Sequence, residues 1–212
     1  MTPFPKSSIS EPCIKKTPIS SMQYLNFHTH CPLPTDEQTV SSCGFHPWHL
    51  TADWADRMPE LESALAAEGT FVGECGLDKV CSTSYSLQLE AFEAQIALSE
   101  RLCRPLILHC VRAADDVLRL KRGTRQTWIW HGFRGKPEQL QQLLDHGFYI
   151  SFGLRFNEAS LAACPIDRLF LETDDAPQPI VPLYEAVARR RSISVEALAE
   201  QLWANLRAAA CR

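Results

Sequence analysis

The chain has 212 residues and a formal net charge of −4, with 45% hydrophobic and 22% charged residues. These figures fit one globular domain with a sizeable core. They provide no basic face for gripping long duplex nucleic acid, although a local phosphate site is still compatible with them.

Of the nine cysteines, none forms a Cys-x-x-Cys pair, and Cys75, Cys103 and Cys110 lie in or beside apolar runs. Reduced thiols in a cytosolic core explain this better than a disulfide framework. Pro3, Pro5, Pro12 and Pro18 interrupt the N-terminus, and no stretch reaches the length of a membrane span. The expectation is a cytoplasmic protein with no membrane association and no obligate protein partner.

Residues 1–20, rich in Pro, Ser, Thr and Lys, read as an extended arm or disordered tail ahead of a single domain over 21–212. An apolar strand over 22–28 runs into Phe27-His28-Thr29-His30. Because side chains alternate along a strand, His28 and His30 point to the same side. The proline-rich stretch from Cys31 to Thr39 resists helix formation. A second strand spans 40–45 and closes on Gly44-Phe45-His46-Pro47-Trp48. A helix opened by Pro59 leads to a strand over 70–75, which ends in Gly73-Glu74-Cys75-Gly76-Leu77-Asp78.

A long helix from Ser86 to Leu102 precedes the strand at 105–110, ending in His109. A helix over 113–122 precedes the strand at 127–131, ending in His131. After a helix begun by Pro137 come a strand at 147–151, a short helix capped by Asn157, and a strand at 168–173 that runs into Asp174. Two helices close the chain, the last capped by Ser194. Strand–helix alternation with short loops predicts a parallel sheet covered by helices. No glycine-rich phosphate loop follows the first strand, and polar residues end many strands. A TIM-like α/β barrel, irregular and with about seven strands, is therefore expected over an open nucleotide-binding sheet.

A buried acid or imidazole at the end of an apolar strand is costly unless it is paired. Each such residue has a bland reading as a hydrogen-bonded core group or an exposed loop residue. Asp174 resists that reading, because Glu172-Thr173-Asp174-Asp175 puts three acids together without a cation. A barrel would gather His28, His30, Glu74, His109, His131 and Asp174 around one axis. Six nitrogen and oxygen donors exceed the needs of one tetrahedral ion, so two divalent cations are the economical reading. His28, His30 and Asp174 would hold one, His109 and His131 the other, and Glu74 would bridge them. Asp174 is also a candidate general base, and Glu74 and Asp174 are the candidate catalytic pair. Histidines favour Zn²⁺ while the carboxylates suit Mg²⁺ or Mn²⁺, so the metal is left open.

The segments Asn26-Phe27-His28-Thr29-His30, Gly44-Phe45-His46-Pro47, Gly73-Glu74-Cys75-Gly76-Leu77-Asp78, Leu108-His109-Cys110-Val111-Arg112-Ala113, His131-Gly132-Phe133-Arg134-Gly135 and Leu171-Glu172-Thr173-Asp174-Asp175-Ala176-Pro177 occur in this order. Together they resemble the TatD-type metal-dependent deoxyribonucleases, within the wider metallo-dependent hydrolase barrels. The resemblance implies hydrolysis of phosphodiester bonds in DNA or short oligonucleotides, so nucleic acid or a small phosphodiester as substrate. It also implies metal roles for the six donors, with His46 and Arg112 placed to hold phosphate. Local structure is the competing reading for His46 and Arg112.

Two departures stand out. The family usually carries Asp where this chain has Asn26, and the stretch from His30 to Cys43 is too short for the helix and strand that the family inserts there. One barrel unit is therefore expected to be missing near the first strand. Amidohydrolase-like chemistry on C–N or ester bonds is a second reading, weakened because no lysine ends a ligand strand. A non-catalytic metal-binding relic is a third.

Overall fold

The computed structural model describes residues 22–66 and 69–210; the expected arm over 1–20 lies outside them. Eight parallel strands are present among the described residues. They are β1 (Tyr24–Leu25), β2 (Glu37–Gln38), β3 (Ser42–Cys43), β4 (Phe71–Asp78), β5 (Leu106–Val111), β6 (Trp128–Trp130), β7 (Tyr149–Phe152) and β8 (Leu169–Leu171). Helices α1 (Met58–Leu65), α2 (Tyr85–Leu102), α3 (Ala114–Lys121), α4 (Pro137–Asp145) and α5 (Glu158–Ala163) each connect one strand to the next from β3 onward. Helices α6 (Val181–Arg191) and α7 (Val195–Ala210) follow β8.

Strands β3 to β8 pair in chain order as one parallel sheet, and β1 pairs with β2 as a separate two-stranded ladder. The β8 end of that sheet meets the ladder. Phe27 N–H donates to the Leu171 carbonyl at 2.8 Å, Asp174 N–H to the His28 carbonyl at 3.0 Å, and His30 N–H to the Asp174 carbonyl at 3.0 Å. The last strand is thereby tied to the first. No ladder joins β2 to β3 among the described residues, so the ring has a seam there.

The expected loss of a unit is visible: no helix lies between β1 and β3. The expected strand count falls one short, because β2 forms where only a loop was expected. A two-residue strand offers no periodicity. It is held instead by Tyr24 N–H to the Asp36 carbonyl and Asn26 N–H to the Gln38 carbonyl, both at 2.8 Å.

Central strands read as continuous apolar runs because both of their faces are covered. Val72, Leu106, Ile107, Leu108, Trp128, Ile129, Ile150, Phe170 and Leu171 are fully buried. Phe27 stacks on Phe170 with centroids 4.4 Å apart and planes at 22°, which joins the β1 end of the sheet to β8 through the core.

Strand β4 carries the irregularity that matters most. Its register against β5 runs from Val72↔Leu106 to Cys75↔Leu108, three steps on one strand against two on the other. The extra residue is a β-bulge, which re-aims a side chain. Gly73 and Gly76 flank Glu74 at φ +149° and +142°. A Cβ at Gly73 would stand 2.6 Å from the Ile107 carbonyl oxygen, and one at Gly76 only 2.0 Å from the His109 carbonyl oxygen. Backbone-to-backbone packing at these two points requires glycine.

Gly76→Ala is accordingly expected to cost about 3 kcal/mol or more from strain and overpacking. That corresponds to a fall in melting temperature of roughly 6–12 °C for a chain of this size, measurable by thermal unfolding followed by circular dichroism. Gly147→Ala, where a Cβ meets nothing although φ is +78°, serves as the control for φ strain alone.

Candidate metal centre

All six predicted donors converge on one site. The chain just past β1 supplies His28 and His30, β4 supplies Glu74, β5 supplies His109, and the residues after β6 and β8 supply His131 and Asp174. Glu74 lies at the middle, with its side chain 6% exposed. Its Oε1 is 2.6 Å from His28 Nε2 and 2.9 Å from His30 Nε2. Its Oε2 is 2.9 Å from His131 Nε2 and 3.7 Å from His109 Nδ1. Each oxygen of one carboxylate thus faces its own pair of imidazoles. Asp174 Oδ1 stands at the rim, 3.7 Å from His30 Nε2 and 4.0 Å from His28 Nε2.

Two acids that the sequence reading left without a role sit behind the histidines. Asp78 Oδ2 is 3.2 Å from His109 Nε2, behind the ring, placed to hold a proton on Nε2 when Nδ1 gives its lone pair to a cation. Glu172 Oε1 lies 3.4 Å from His131 Nδ1 without a hydrogen bond between them, placed to hold a proton there when Nε2 gives its lone pair to a cation. Glu172 Oε1 also accepts Gly132 N–H at 2.5 Å. Their only trace in the sequence is their place in motifs, as acids four residues after Glu74 and two before Asp174.

His46 reaches to 3.6 Å from Glu74 Oε2. Its Nδ1 accepts the Trp48 backbone N–H at 3.1 Å, which leaves the proton on Nε2. Burial, followed by the neighbouring His109, lowers its pKa to about 4. His46 is therefore a neutral N–H donor facing the cavity and not a lone-pair ligand. Arg112, exposed at φ +53°, lines a cavity of about 730 Å³ together with Lys79 and Arg134, and His109, His131 and Asp174 line the same cavity. The histidine cavity is about 430 Å³ and is lined by His30, His46, Trp48, Glu74, His109 and Asp174, among others.

The electrostatics suit a cation. Burial pushes the Glu74 carboxyl up, but hydrogen bonds from His109, His131 and His28 outweigh it and hold the group well below the usual carboxylate range. Burial likewise works against ionisation of Glu172, and His131 reverses it; its Oε2 is nonetheless buried without a hydrogen-bond donor. Asp174 is pushed upward, by burial first and by Glu172 among its neighbours. Several imidazole nitrogens and three carboxylates share one small space. By distance alone, four sets of ligand-type atoms among the described residues could each hold one ion: His28–His30–Glu74, His28–His131–Asp174, His46–Glu74–His109 and His30–Asp174–Asp175. Nitrogen and oxygen donors with carboxylates behind them fit divalent metal, and no cysteine sulfur enters any of these sets.

Asn26 ties this cluster to the fold. Its Nδ2 donates to Glu37 Oε2 at 3.1 Å and to Thr173 Oγ1 at 2.8 Å, and its Oδ1 accepts Thr173 N–H at 3.0 Å. Thr173 precedes Asp174, so the amide sets the backbone from which Asp174 projects. A carboxylate at position 26 could not donate, and it would face buried Glu37. Asn26→Asp is expected to lose about 3–5 kcal/mol, the usual consequence of an uncompensated buried charge. Asn26→Asp/Glu37→Gln recovers most of it, as read from urea midpoints of the single and double variants.

Residues 33–210 match the profile of a family described as TatD related DNase. The chain is 36% identical over 149 residues to a Klebsiella pneumoniae (strain 342) protein named 3'-5' ssDNA/RNA exonuclease TatD, a match covering 63% of this chain and 56% of that one. The chain thus spans little more than half the length of that relative. It is 31% identical over 189 residues to the Escherichia coli K12 metal-dependent hydrolase YcfH, covering 77% of this chain and 71% of that one. Among solved structures, the Escherichia coli K12 TatD homologue YJJV superposes with a TM-score of 0.70 at 20% identity, over 84% of this chain and 78% of that one.

Proposed function

The chain belongs to the TatD related DNase family, and from that membership we propose that it is a metal-dependent hydrolase that cleaves phosphodiester bonds in DNA or short oligonucleotides. One observation carries the reading: the two oxygens of buried Glu74 face separate pairs of imidazoles, His28 with His30 and His109 with His131. A carboxylate so placed suits the bridge of a two-metal site. Divalent ions held there would polarise a phosphoryl oxygen and acidify a water.

The chain's own residues supply the rest. His28 and His30, with Asp174, form one set of donors. His109 and His131, oriented by Asp78 and Glu172, form the other. Asp174 is the general base: its side chain is partly exposed at the cavity mouth, and burial raises its pKa above that of an ordinary aspartate. His46 presents a neutral Nε2–H to a phosphoryl oxygen, and because it carries no charge the donor does not compete with the cations for the carboxylates. Arg112 and Arg134 line the cavity where neighbouring phosphates of the same strand would lie. A net charge of −4 suits an enzyme that holds its substrate locally and not along a duplex.

Elemental analysis of the purified protein reconstituted with Zn²⁺, Mg²⁺ or Mn²⁺ should reach two ions per chain. His109→Ala and Asp174→Ala should each lose one, and Glu172→Gln should weaken binding by about 10- to 100-fold. Hydrolysis of single-stranded DNA should stop with chelator and return with metal. Full metal occupancy without turnover of any phosphodiester would favour the relic, and turnover of amides or lactones alone would favour amidohydrolase-like chemistry.

A further inference from the structure

Trp48 is the largest apolar side chain left at the surface among the described residues, 53% exposed, yet its orientation is held from several sides. Its Nε1–H donates to Asp78 Oδ2 at 2.6 Å, and that carboxyl is itself buried and shared with His109. The indole stands edge-on to His46, with centroids 5.0 Å apart and planes at 85°, and to His109 at 5.5 Å and 77°. Its own backbone N–H is taken by His46 at the head of the single 3₁₀ turn Pro47–His49. An indole recruited only to cover core would be buried, and one left exposed by accident would not be anchored.

Its position is equally specific. Trp48 borders both the cavity that holds Glu74 and the larger one lined by Lys79, Arg112 and Arg134. His46 and His109 each touch the indole on one side and approach Glu74 Oε2 on the other, at 3.6 and 3.7 Å. The ring is therefore one imidazole away from Glu74, about the reach of one sugar from a phosphate to its base. Beyond it lie guanidinium groups suited to the next phosphate.

We infer that Trp48 is a substrate-positioning residue, the platform on which the base beside the scissile phosphate stacks. This rests on the phosphodiesterase reading above. In a duplex both faces of a base are covered, and only an unstacked base can lie on the indole. Every base has a π-face, so the platform selects for the presence of a base and not for its identity.

The test compares two single-stranded oligonucleotides, one natural and one with tetrahydrofuran abasic residues flanking the cleaved phosphate. The wild-type protein should prefer the natural strand in kcat/KM by roughly 5- to 150-fold, the usual worth of one stacked base. Trp48→Ala should bring the two substrates to the same kcat/KM. Trp48→Phe, which keeps a ring but loses the bond to Asp78, should retain most of the preference. If Trp48 only braces Asp78 and His109, both variants slow both strands and the ratio survives in Trp48→Ala, which overturns the inference. If the wild type cleaves neither strand with any metal, the phosphodiesterase reading fails. Stacking is then decided by tryptophan fluorescence, titrated with oligothymidylate in the presence of chelator. Quenching in the wild type that disappears in Trp48→Phe supports the platform; equal quenching in both, or none in either, removes it.

Discussion

Everything at the mouth of this fold depends on a carboxylate that cannot be left alone. Glu74 comes from the middle of the longest ladder, β4 against β5, and its side chain is almost wholly removed from water. A buried anion is costly unless it is paired and hydrogen-bonded. Here the pairing is supplied by imidazoles from three other segments, so the strands after β1, β5 and β6 must end where they do for Glu74 to be tolerated at all. The bulge and the two flanking glycines serve the same end. They let β4 lie against the carbonyls of Ile107 and His109 while turning Glu74 into the ring.

The second layer explains why the imidazoles can act as donors and not merely as counter-ions. A neutral imidazole has one proton and one lone pair, and the partner behind the ring decides which nitrogen has which. Asp78 and Glu172 stand behind His109 and His131, so with protons held on the outer nitrogens the inner ones can give lone pairs to a cation in place of protons to Glu74. A backbone N–H stands before His46 Nδ1, so His46 offers a proton. Three histidines around one carboxylate are thus divided into two kinds by their outer contacts. In the proposed reaction this separates the groups that hold cations from the one that meets substrate oxygen.

How far the sequence reveals this differs from residue to residue. His109, His131 and Asp174 are legible because each interrupts an apolar run long enough to be read as a strand, and a polar group in that place demands an explanation. His28 and His30 are legible from their spacing. Asp78 and Glu172 are not, because nothing in a linear pattern says which acid stands behind which imidazole; that depends on the register of β4 on β5 and of β7 on β8. Strand β2 is hidden for a different reason. It is two residues long, and its buried member, Glu37, is an acid, so both length and hydrophobicity argue against it. The tautomer of His46 lies beyond any sequence, since it is set by a single backbone hydrogen bond.

Strand β2 also shows what replaces the missing unit. No helix lies between β1 and β3, and Leu25 and Phe27 of this side are instead buried in the common core, with Tyr24 edge-on to Tyr184 of α6. Polar side chains add further ties. Asn26 and Glu37 clamp one another, Glu37 Oε1 accepts the Ile180 N–H at the start of α6 at 2.8 Å, Tyr184 O–H donates to the Leu25 carbonyl at 2.8 Å, and Trp203 Nε1–H to the Gln23 carbonyl at 2.9 Å. Each bond adds a directional contact, and buried polar bonds hold position more tightly than apolar contacts of the same area but are less forgiving of substitution. The chain from Asn26 to His30 is therefore positioned by hydrogen bonds at one end and by the main-chain bridge to Asp174 at the other. The shortened side of the ring can in this way still present His28 and His30 to Glu74 at hydrogen-bonding distance, while the seam between β2 and β3 opens next to the strand that leads to His46 and Trp48.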